Sequence, residues 1–219
     1  MLVKEIRFLI KKEILLEWKQ KHAFTGILLY IVSTIFVCFL SFKRIIDPDT
    51  WNTLFWIILL FGSVNAVAKS FIHESRDRQL YYYTIASPEG IILSKIIYNV
   101  LLLGILSLAS FFIYALLLGN VVADLPLFLV VILLGSTGLG TVFTMVSAIA
   151  SKANNSAVLM AILGFPLILP MLLIIIRLSK NAIHGFSWDQ SYQYGCVLLL
   201  LNLIVVVLSY ILFPYLWRD

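Results

Sequence analysis

The sequence predicts an all-α membrane protein: six transmembrane helices preceded by an N-terminal amphipathic helix at the membrane interface. Three observations predict it. Of 219 residues, 62% are hydrophobic and only 12% charged, with a mean hydropathy of +1.02. A soluble domain of this length has too little surface to tolerate that much apolar area. The apolar residues are gathered into six continuous stretches, each close to the roughly 20 residues a lipid-spanning helix needs. The first 22 residues, in contrast, are strongly basic. These features exclude an ordinary soluble enzyme, a disordered chain and a disulfide scaffold.

The N-terminal segment 1–22 reads as a basic amphipathic helix. On a helical wheel Leu2, Val3, Ile6, Leu9, Ile10, Ile14 and Leu16 share one arc, and Lys4, Arg7, Lys11, Lys12 and Lys19 share the other. Glu13 and Glu17 project into the apolar arc, while Phe8 and Leu15 project into the polar one. A helix touching both lipid and a protein neighbour has that mixture; a plain lipid anchor is the alternative. The apolar run begins only near Phe24, after this charged segment, so a cleaved signal peptide is not expected.

The six spans are expected at 24–42, 51–71, 91–118, 127–150, 157–176 and 194–217. They are helices and not barrel strands, because they are apolar throughout and do not alternate with period two. Twelve Lys and Arg residues fall in the N-terminal arm, the loop after span two, the loop after span four and the C-terminus. Only Lys43, Arg44, Arg177 and Lys180 fall on the other side. The positive-inside bias therefore predicts that both termini are cytoplasmic. The whole chain, 1–219, reads as one transmembrane domain.

The loop after span two, 72–90, is the largest cytosolic surface expected. Glu74, Arg76, Asp77 and Arg78 open it, and Tyr81, Tyr82 and Tyr83 follow. Arginine and tyrosine in this pattern suit a protein interface; an aromatic belt at the lipid headgroups is the alternative. Ser87-Pro88-Glu89 then starts the next helix with a hydroxyl cap, a proline and an acid in the first turn.

Span four carries Ser136, Gly140, Thr144 and Ala148 at four-residue spacing, joined by Gly135 and Gly138. A face stripped of bulk lets another helix come close, within the chain, in a dimer or along a substrate path. In span five, Pro166 and Pro170 each remove a backbone donor and should bend or break the helix in mid-membrane.

No catalytic, metal or cofactor set is legible. The chain has no P-loop, no H-E-x-x-H and no histidine within a span. His22 and His73 are expected in the cytosol. His184, in the outer loop, is the one candidate for a haem contact outside. Cys38 and Cys196 lie in apolar stretches and read as small apolar residues. Few ionisable groups fall inside spans, so no proton relay is visible.

The length, six spans, basic N-terminal helix, charged loop after span two and the run Leu134-Gly135-Ser136-Thr137-Gly138-Leu139-Gly140 resemble the CcmB family. Pro166-x-x-x-Pro170-x-Leu172, and Ser87-Pro88 followed by Lys95, are similar to that family's motifs as well. The resemblance implies an ABC-2-type permease, the membrane subunit of the haem exporter of cytochrome c maturation. It implies a separate CcmA-type ATPase, the membrane subunits CcmC and CcmD, the haem chaperone CcmE, and two permease copies per complex in the bacterial inner membrane. It further implies that 74–86 contacts the ATPase. Haem enters as a transported or handled ligand and not as a resident cofactor. A permease exporting a lipid or drug is the alternative.

Overall fold

The computed structural model describes residues 2–19, 21–42, 46–68, 71, 86–151 and 156–218, with backbone alone at 18–19, 21–24, 156–158, 161 and 217–218. These residues form seven helices: α1 (Leu2–Lys19), α2 (Lys21–Phe42), α3 (Pro48–Val67), α4 (Pro88–Leu118), α5 (Leu125–Ala150), α6 (Ser156–His184) and α7 (Trp188–Arg218). No strand occurs among them. Helices α2 to α7 are long and apolar enough to cross a membrane. Leu9 of α1 and Phe213 of α7 share one buried cluster, so both chain ends lie at the same end of the bundle, here the terminal end.

Three helices start by one local rule. Asp47, Ser87 and Asp124 are N-caps in extended conformation, each accepting a hydrogen bond from a backbone N–H three residues on, and each is followed by a proline in the first turn. The cap oxygen satisfies an orphan donor, and proline gives up a donor that had no partner anyway. Gly119 (φ 86°) ends α4 and Gly185 (φ 68°) follows α6, both in backbone that side chains resist.

Helix α5 is the most enclosed span and α2 the least. Bulk is missing from α5 where its neighbours press closest. A Cβ at Gly140 would meet Val100 of α4 at 3.0–3.2 Å, backbone included, and one at Gly135 would meet the Trp56 ring of α3 at 2.7–2.8 Å. In lipid such close contacts replace the hydrophobic drive that brings helices together in water. Away from the terminal end, Trp51, Phe55, Trp56, Phe111, Tyr114 and Phe128 form a continuous aromatic core. Its tightest pair is Trp51 edge-on to Tyr114 with centroids 4.8 Å apart.

The spans overlap the expected ones, but several ends differ. Helix α6 runs eight residues past the expected end, through Arg177 and Lys180, and α7 starts six residues early at Trp188. Charge marks where hydrocarbon ends, whereas a helix continues while its backbone is paired. Lys180 Nζ reaches Asp49 Oδ2 at 2.6 Å across to α3.

Of the expected bend or break at Pro166 and Pro170, the break does not occur, since α6 is one helix through both. Both prolines are exposed on its outer side, while Ile168, Met171 and Ile175 face inward and are buried. The lost donors thus fall on the face that packs against nothing in this chain, and the inner ladder carries the helix. Pro166→Ala with Pro170→Ala is expected to fold at wild-type yield, gaining between zero and about 3 kcal/mol per site. A fall in detergent melting temperature would contradict this.

Candidate functional site

The site is built at the terminal end, where α1 lies along the first turns of α4. Leu9 buries between them, in a cluster with Phe71, Ile91, Ile92, Ile96, Ala148 and Phe213. The acids of α1 turn inward. Glu5 Oε1 accepts from the Ser87 backbone N–H and, at 3.0 Å, from the Ser87 hydroxyl, whose oxygen accepts from Gly90 N–H. A Cβ at Gly90 would sit 2.8 Å from that carboxylate oxygen and from the Ser87 hydroxyl, so a larger residue there would have to displace them. The carboxylate therefore rests on the N-terminus of α4, where helix dipole and free N–H groups favour an anion.

Two turns on, Glu13 Oε1 is 3.0 Å from Lys12 Nζ and 3.4 Å from Lys95 Nζ. Lys95 is only 2% exposed, and its ammonium stands 4.7 Å from the Phe71 ring centroid. Phe71 in turn packs on Phe213 of α7 at 5.7 Å. Burial pushes the Glu13 carboxyl up, but Lys95 and Lys12 more than offset it, leaving it below the ordinary carboxylate value. Lys4, Arg7 and Lys11 face outward beside exposed Val3, Phe8, Ile14 and Leu15. Glu13, one of the two acids that interrupt the apolar arc of α1, thus meets a protein neighbour, and that neighbour is α4 of the same chain.

Glu74, Arg76, Asp77, Arg78, Tyr81, Tyr82 and Tyr83 lie outside the described residues, as does all of 72–85. Both roots of that segment are described. It leaves from Phe71, beneath Lys95, and returns at Ala86 and Ser87, beneath Glu5.

The small residues of α5 come together against α4. Gly140 touches Val100, Thr144 Oγ1 accepts from Asn99 Nδ2 at 2.9 Å, and Ser136 Oγ is 3.8 Å from where a Cβ on Gly104 would stand. Gly138 meets Asn202 of α7, whose Nδ2 donates to the Leu134 carbonyl at 3.1 Å. Between α3 and α6, Trp56 Nε1 donates to Ser179 Oγ at 2.9 Å, and Asn52 Nδ2 donates to the Ile176 carbonyl at 3.0 Å. Pro166 and Pro170 are not part of these contacts. His184 is the last residue of α6 and not in a loop; its Nε2 is 3.3 Å from Asp49 Oδ1. Among the described residues no group of three or more His, Cys, Asp or Glu could hold a metal.

Sequence reasoning missed Glu5, Lys95, Asn52, Asn99 and Asn202 as structural partners. Lys95 carried a signal, since it sits inside the apolar run Ile91-Ile92-Leu93-Ser94-Lys95-Ile96-Ile97. What the site combines is mechanical: two polar clamps, an apolar seam between them and closely packed spans behind.

Compared with protein families, residues 4–215 match the family described as CcmB protein. No curated protein matches the chain.

Proposed function

This chain belongs to the CcmB family, and from that premise we propose that it turns ATP hydrolysis by a separate CcmA-type subunit into movement of its own spans. The family is a membrane component of the haem exporter of cytochrome c maturation, and its members are non-catalytic, multi-pass inner-membrane subunits. In the proposed cycle, closure of two ATPase subunits displaces residues 72–85, and the bundle repacks in response. Its output is haem export or release of the haem-loaded periplasmic chaperone CcmE. CcmC and CcmD stand beside it, and two copies of this chain serve each complex. Glu74, Arg76, Asp77 and Arg78 give polar register at the ATPase, and Tyr81, Tyr82 and Tyr83 supply apolar anchors. Both termini are cytoplasmic, with α1 at the inner interface.

The observation that carries this reading is the start of α4. Its exposed stripe Ile97, Leu101, Ile105, Leu108, Phe112 and Leu116 covers roughly the 30 Å of a hydrocarbon layer. Residues 88–96 therefore stand beyond it, still helical, and only Ala86 and Ser87 separate them from 72–85. A push on that segment reaches the spans directly. Reversing Arg76→Glu together with Arg78→Glu is expected to cut ATPase co-purification by about tenfold or more, with the variant still in the membrane. Undiminished co-purification contradicts the reading.

A further inference from the structure

Glu5 pairs with Ser87 and Glu13 with Lys95, and both pairs are separated by 82 positions in the chain. Helices α1 and α4 therefore run side by side in the same direction and in one register, locked at two points about 12 Å apart along their axes. Each lock also sits on one root of segment 72–85. Glu5 holds Ser87, where the segment returns, and Glu13 holds Lys95 above Phe71, where it leaves.

Burying a lysine is a poor way to gain stability, because desolvating two ions costs about as much as their attraction returns. A leucine at 95 would pack against the Phe71 ring without that cost. The best-attested use of such a pair is to fix register. Sliding α1 by one turn would move Glu13 about 5 Å from Lys95 and carry the Glu5 carboxylate off the α4 N-terminus. Gly90, which leaves space for that carboxylate, makes the lower lock specific as well.

We propose that Glu5 and Glu13 are positioning residues: α1 is a brace that grips both roots of 72–85, so that displacement of the segment moves α1, α4 and α7 as one body. Without the brace the first turns of α4 flex, and the stroke dissipates before it reaches the spans. The inference rests on the coupling reading above and adds to it which residues transmit the stroke.

The test uses the full complex co-expressed with its ATPase, measuring ATPase co-purification, ATP hydrolysis, release of haem-loaded chaperone and thermal stability. Glu13→Gln takes the carboxylate from beside the buried Lys95 ammonium and lowers stability, whereas in Lys95→Met the Glu13 carboxylate keeps Lys12 and stability falls less. The double variant Glu13→Gln/Lys95→Met removes both charges and regains stability, yet is expected to release about tenfold less chaperone per ATP hydrolysed, with the ATPase still bound. A merely structural pair would recover release along with stability, and that result overturns the proposal. If the double variant does not reach the membrane, the lower lock decides. Glu5→Gln keeps an acceptor for Ser87 and stays coupled, whereas Glu5→Leu uncouples with the ATPase bound; equal release from the two overturns the proposal. Loss of ATPase binding by the wild-type chain would instead defeat the coupling reading itself.

Discussion

Trp51→Ala is expected to cost about 3 to 5 kcal/mol and to lower the detergent melting temperature more than any other single truncation in the bundle. Trp51 has no exposed surface and stands at the centre of the aromatic core. It stacks on Phe55 at 5.9 Å, meets Tyr114 edge-on at 4.8 Å and lies 5.9 Å from Phe128. Its indole N–H donates to the Gly119 carbonyl at 3.1 Å, tying the start of α3 to the end of α4. Alanine leaves a cavity that three rigid rings on three helices cannot close, and it orphans a carbonyl near the end of a span. Trp51→Phe separates the two effects: it refills most of the cavity and loses about 1 kcal/mol for the hydrogen bond. Size-exclusion profiles after graded heating measure both, and a Trp51→Ala profile matching wild type would contradict the packing described.

Gly140→Leu is expected to cost about 3 kcal/mol or more by the opposite route. The first added carbon already falls 3.1 Å from the Val100 Cα and 3.2 Å from its nitrogen, and backbone cannot rotate away as a side chain can. Helices α4 and α5 must separate, which stretches the Asn99–Thr144 hydrogen bond one turn on and opens the seam beside Ala148. Gly140→Ala lies between wild type and Gly140→Leu. Stability that does not fall with side-chain volume at 140 would show that the two helices are not in close contact there.

The six spans were legible because lipid imposes a length and a composition that few other structures share. Their ends were not, because a helix stops at a cap or a left-handed glycine and not at the hydrocarbon boundary. That is why α6 carries Arg177 and Lys180 in its last turns. Pro166 and Pro170 predicted a bend or a break, and the helix is unbroken; sequence does not say which way a face points, and both point outward. Glu13 and Glu17 stood out in the apolar arc of α1, but the partner of Glu13 did not. Counting charges for orientation treats every lysine as solvated, so Lys95 passed as a loop cation although it is buried in α4. Segment 72–85 was legible only as a pattern of charge followed by tyrosines, and its two roots became meaningful once Phe71 and Ser87 were seen beneath Lys95 and Glu5.

The central claim is that segment 72–85 faces the cytosol and is gripped there by the ATPase. The direct measurement is thiol labelling of Tyr82→Cys in a Cys38→Ala/Cys196→Ala background, using a membrane-impermeant reagent. Labelling from the inner face of inverted vesicles alone, blocked when the ATPase subunit is bound, is the predicted result. Labelling of intact cells from outside, or inner-face labelling indifferent to the ATPase, contradicts it.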